Sequence, residues 1–95
     1  MKATLIKTDG TVVEIEPLNG ETFELQELYK LLDCELVEVV NLRRSENILI
    51  IDEEGKYSQK FINEAATVIA RNAQGIYPTG YIVGDAILCH SDMLD

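Results

Sequence analysis

Basic residues are scarce in this chain. Eight lysines and arginines stand against seventeen acids, a formal net charge of −9. Nonspecific nucleic-acid binding needs a basic surface to neutralise phosphates, so this balance argues against direct contact with DNA or RNA. Histidine occurs once, at His90, and cysteine twice, at Cys34 and Cys89. Two separated cysteines make neither a disulfide framework nor a zinc site, and both read as small hydrophobes. No apolar run approaches the roughly 18–20 residues of a membrane span. The N-terminus, Met1 to Lys7, lacks a long apolar core and a small-residue cleavage site. The expectation is a cytoplasmic protein without signal peptide or membrane contact. Neither Gly-x-x-x-x-Gly-Lys-Ser/Thr nor Gly-x-Gly-x-x-Gly occurs, so two common phosphate-cradling loops are excluded. The acids Asp52, Glu53 and Glu54 lack the EF-hand spacing and read as a solvated turn.

What remains is the composition of a globular protein, 46% hydrophobic and 26% charged. Its 95 residues are expected to form one α+β domain, 1–95. A chain this short buries only about 60–65% of its unfolded surface, so a symmetric homodimer would help it. Residues 2–8 and 11–16 read as strands around Asp9-Gly10, a hairpin signal that predicts a type I′ turn. Leu25, Leu28, Tyr29 and Leu32 have helical spacing and predict a helix over 22–33, with Thr22 as its cap. Residues 35–41 and 47–52 read as strands, the second apolar on both faces and therefore central. Asn63 caps a second helix running to about Asn72, with Glu64 in its first turn. Residues 81–90 read as the last strand, and Ser91 to Asp95 as a fraying tail. The order ββαββαβ predicts a mainly antiparallel five-stranded sheet with both helices on one face.

One acid stands out. Asp85 interrupts the most apolar stretch of the chain, Tyr81-Ile82-Val83-Gly84-Asp85-Ala86-Ile87-Leu88-Cys89-His90. An unpaired carboxylate there would cost several kcal/mol or shift its pKa upward, so Asp85 is exposed at a break, hydrogen-bonded or functional. Gly84 favours a bulge that releases it from the core. Asn63, Arg71, Gly84 and Asp85 together form the candidate ligand-binding set, which would frame an anion or nucleotide pocket. Tyr57, Phe61, Tyr77 and Tyr81 flank the same region. In the plainer reading Asn63 is a cap, and Arg71 serves the helix dipole and pairs with an acid. No catalytic set, metal site or cofactor site emerges. Asp85 and His90 are the acid–base candidates, but on an unbroken strand they face opposite ways.

Four segments carry a resemblance in order: Leu36-Val37-Glu38-Val39-Val40, Ile50 to Lys56, Asn63-Glu64-Ala65-Ala66-Thr67 and Ile82-Val83-Gly84-Asp85-Ala86. Together the chain resembles the family designated domain of unknown function 3846. The resemblance covers most of the chain and implies an accessory protein of a phage or other mobile element. It supplies no catalytic residues, and it marks Asn63, Gly84 and Asp85 as matching positions. The expected function is therefore a non-enzymatic binding module acting in the host cell. Its partner would be a host protein or a small nucleotide-like ligand, captured as counter-defence. The alternatives are an acidic mimic of DNA, with Glu14, Glu16, Glu24, Glu27, Glu35, Glu38, Asp52, Glu53 and Glu54 as its charge path, or a small hydrolase using Asp85 or His90.

Overall fold

A computed structural model of the chain describes residues 1–94. Strands β1 (Ala3–Ile6) and β2 (Val12–Ile15) form a first hairpin, followed by helix α1 (Leu25–Leu32). Strands β3 (Val37–Asn41) and β4 (Asn47–Asp52) form a second, followed by helix α2 (Glu64–Asn72) and strand β5 (Ala86–His90). The sheet order is β2-β1-β5-β4-β3, and every neighbouring pair is antiparallel. This is the α+β fold that the element order predicts. The last strand joins the two hairpins: Ile87 lies opposite Leu5 on one side and Ile50 on the other.

The helices do not share a face. Leu28 and Leu32 of α1 pack with Ala3, Leu5, Ile48, Ile50, Ile87 and Cys89. Ala66 and Ala70 of α2 pack with Ile6, Leu49, Ile51 and Ala86. Successive strand residues point to opposite sides of a sheet, so these two sets are its two faces. The expected one-face arrangement is therefore wrong, and the fold has three layers, helix on sheet on helix. The reason lies in β4, whose Ile48-Leu49-Ile50-Ile51 run is buried throughout. A strand apolar on both sides needs cover on both sides. The small Ala66 and Ala70, both fully buried, let α2 lie close to its face.

Four local expectations also change. The first hairpin forms, but its turn is not type I′: Gly10 has φ +90° while Asp9 keeps an ordinary negative φ. Gly10 N–H donates to Lys7 O at 3.0 Å and Lys7 N–H to Thr11 O at 2.9 Å, a type I turn closed by a left-handed glycine. Thr11 N–H also donates to the Asp9 carboxylate at 2.8 Å, and hydrogen bonding from Thr11 holds that carboxyl below its ordinary pKa. Helix α1 starts at Leu25, not Thr22, because Phe23 is drawn out in extended form: its N–H donates to Met93 O at 2.8 Å and its ring is buried. Thr22 makes no cap, its hydroxyl accepting from Asn19 instead. The tail does not fray through Leu94: Ser91–Met93 form a 3-10 turn that buries Met93. Asp95 lies outside the described residues.

The last change concerns 81–90. Only Ala86–His90 joins the sheet. Upstream, Val83 bridges Ile62, Asn63 N–H donates to Ile82 O and Gly84 N–H to Phe61 O, both at 2.8 Å. The apolar segment thus pairs first with the entry to α2. It turns at Gly84, where φ is +85°, and then enters the sheet. No described helix is long and apolar enough to cross a membrane.

Candidate functional site

Asn63 is fully buried and all its polar side-chain atoms are engaged. Its Oδ1 accepts from Ala66 N–H at 3.0 Å, the cap expected from sequence. Its Nδ2 donates to Ile6 O at 2.9 Å and Gly84 O at 3.0 Å. Thr67 completes the clip, donating its hydroxyl to Asn63 O and accepting from Ile82 N–H. These bonds join β1, α2 and the 82–84 segment. Asn63 therefore holds the chain together and offers no free donor to a ligand.

Gly84 and Asp85 follow from the same geometry. Gly84 accepts from Asn63 through its carbonyl, and a Cβ there would lie 3.1 Å from Lys60 Cδ in a left-handed backbone. The turn lifts Asp85 to a half-buried position, where its Oδ1 accepts from Thr8 N–H at 3.1 Å. Asp85 is thus hydrogen-bonded at a break, closing the end of β1. It lines a small hollow with Thr8, Gln59, Lys60 and Phe61.

Arg71 is elsewhere. It sits in the last turn of α2, eight residues beyond Asn63 and so about 12 Å along the axis. It lines an open groove of about 1010 Å³ with Arg43, Lys56, Gln74, Tyr77 and Tyr81. Of the four candidates, the structure brings Asn63, Gly84 and Asp85 together as a structural clip and puts Arg71 in this separate groove. Arg71 Nε–H donates to Gly80 O at 2.7 Å, which orients the guanidinium. The expected acid partner of Arg71 is missing: among the described residues no carboxylate comes within 4.0 Å of Arg43, Lys56 or Arg71. Lys56 Nζ instead rests 4.2 Å from the centre of the Tyr81 ring, a cation–π contact. Glu38 on β3 faces the same groove. The turn bearing Arg43 is held against the end of α2 by Arg43 N–H donating to Ala73 O at 2.9 Å.

The model of one family, described as a domain of unknown function (DUF3846), matches residues 1–93. The chain belongs to that family. No curated protein and no solved structure matches it significantly. The description of the DUF3846 family names no activity.

Two further clusters were not visible in the sequence. Asp52, expected in a solvated turn, is buried and pairs with Lys60 Nζ at 2.8 Å. The same ammonium donates to Leu32 O at 2.9 Å and Asp33 O at 2.6 Å, the open carbonyls at the end of α1. A cation there complements the negative end of the helix dipole. At the far end of β5, His90 Nδ1 accepts from Asp92 N–H at 3.0 Å, so Nε2 carries the proton donated to Glu46 at 2.9 Å in the neutral ring. Cys89 is buried and unpaired, and burial pushes its thiol pKa up to about 11. Among the described residues, no three His, Cys, Asp or Glu side chains converge as metal donors.

Proposed function

We propose that this DUF3846 domain is a non-enzymatic binding module that captures a small anionic ligand in the groove beside the end of α2. The observation that carries this reading is the placement of charge. In a chain with seventeen acids and eight bases, Arg43, Lys56 and Arg71 share one groove without a carboxylate at salt-bridge distance among the described residues. Arg71 Nε is tied to Gly80 O, which leaves the outer fork of its guanidinium for a bidentate anion. A binding rather than catalytic role is supported by the spread of the acid–base candidates. Asp85 and His90 stand five residues apart across β5, about 16 Å at 3.3 Å per residue.

In the mobile-element setting that the family resemblance implies, such a module would work in the host cytoplasm by sequestering a small phosphorylated signal. A host protein presenting an acidic segment is the second occupant of the same chemistry. The DNA-mimic reading draws less support, since Asp52 is buried against Lys60 and Glu38 faces the cationic groove.

Titration calorimetry with inorganic pyrophosphate at low ionic strength tests the groove directly. Binding is expected to weaken as salt rises. Arg71→Ala is expected to weaken it about tenfold or more, the effect of removing one bidentate charged contact. No heat with pyrophosphate, or an unchanged affinity in Arg71→Ala, would remove the groove from consideration.

A further inference from the structure

We propose that the ligand of this groove is a nucleoside phosphate, with its phosphate on Arg43 and Arg71 and its base in a recess that opens off the groove. This rests on reading the groove as an anion site and adds what the rest of the ligand is. The recess holds about 240 Å³ and shares Glu38, Lys56, Ile76 and Tyr81 with the groove. Its further lining is mixed: Val40, Ile51, Ile82, Val83 and the exposed Tyr57, with two acids, Glu53 and Asp52, the latter paired with Lys60. The cationic groove and this mixed recess are therefore continuous, with Tyr81 among the residues of their common wall.

Each compartment selects part of the ligand. A bare phosphate would engage only the cations and leave the recess wet. A flat ring bearing a phosphate fills both, its faces against the aliphatic and aromatic side chains and its N–H edge toward the carboxylates that line the recess. Lys56 against Tyr81 steadies that wall. Tyr57 is 88% exposed, an aromatic ring held in water on the lining of the recess. Bases stack on such rings with little demand on sequence or hydrogen bonding. Glu38 stands at the junction with no cation within 4.0 Å among the described residues. A carboxylate only accepts hydrogen bonds, so it suits a ring edge with adjacent N–H donors. Guanine presents two such donors side by side, which makes GMP the probe of choice.

The test is calorimetry of the intact chain with GMP, ribose 5-phosphate and guanosine. GMP is expected to bind at least about tenfold tighter than either fragment, since each fragment fills one compartment. Tyr57→Ala, at an exposed position that leaves the fold intact, should remove most of the advantage of GMP over ribose 5-phosphate while leaving ribose 5-phosphate unchanged. Arg71→Ala should weaken both phosphates and not guanosine. Equal affinities for GMP and ribose 5-phosphate overturn the nucleoside inference but leave the anion groove standing. A GMP preference that survives unchanged in both Tyr57→Ala and Tyr81→Ala overturns the recess as the base site. Failure of both phosphates to bind overturns the inference and the groove reading together.

Discussion

At the scale of single residues, Asn63 matters most because one buried amide satisfies three backbone groups from three parts of the chain. Replacing it with alanine removes the cap and strands two buried carbonyls, a loss of about 2–4 kcal/mol in urea unfolding. Asn63→Asp should be worse than Asn63→Ala, because it points a carboxylate at Ile6 O and Gly84 O. The cap was legible from Asn-Glu ahead of a helical pattern; the two carbonyl contacts were not, because Ile6 and Gly84 lie far away in sequence. Asp85 was legible as a misfit for the same local reason, and its partner, Thr8 N–H, was hidden by the same distance. Cys89 carries a pH prediction. Its folded pKa, about 11, lies above that of an exposed thiol, so the unfolded chain loses this proton first as pH rises. Stability is therefore unaffected well below pH 9 and falls as pH climbs from about 9 toward 11, by roughly 2–3 kcal/mol from this group. Cys89→Ala should flatten that part of the stability curve measured by denaturant titration. The same thiol should resist alkylation in the native chain at pH 8.

Elements form where local pattern and tertiary demand agree, and they shorten where the two conflict. Helix α2 begins and ends as its caps predict, whereas α1 loses its first turn to Phe23, which pairs with the tail. Strand β5 loses the half upstream of Gly84 to the entry of α2. The end of α1 depends on Lys60, whose ammonium bonds two of its terminal carbonyls and the buried Asp52. Lys60→Met should cost about 2–4 kcal/mol, mostly by leaving the Asp52 carboxylate buried without its partner. Adding Asp52→Asn should recover part of that loss, and a double-mutant cycle measures the coupling. Full additivity of the two changes would mean that the ion pair contributes nothing.

For the whole molecule, the decisive feature is a sheet covered on both sides. Leu49 and Ile50 are adjacent, fully buried and on opposite faces. Leu49→Ala and Ile50→Ala should each destabilise the chain by about 2–5 kcal/mol in chemical unfolding. A protein with one wet sheet face would tolerate one of them with little loss. The both-sided burial of β4 was already present in Asn47-Ile48-Leu49-Ile50-Ile51-Asp52, which was the available signal for a second helical layer. The cationic groove had no comparable signal. Arg43, Lys56, Arg71 and Tyr81 come from four separate segments, and nothing in the neighbourhood of Lys56 in the chain announces its contact with a ring in the loop before β5.

The chain alone settled its element types, their order, the α2 cap and the break at Gly84-Asp85. These depend on periodicity, side-chain shape and backbone freedom within windows of a few residues. Folding in three dimensions settled which face each helix covers, where β5 inserts, and which cations share a groove. Those outcomes depend on burying both faces of one sheet at once, and that requirement acts between residues far apart along the backbone.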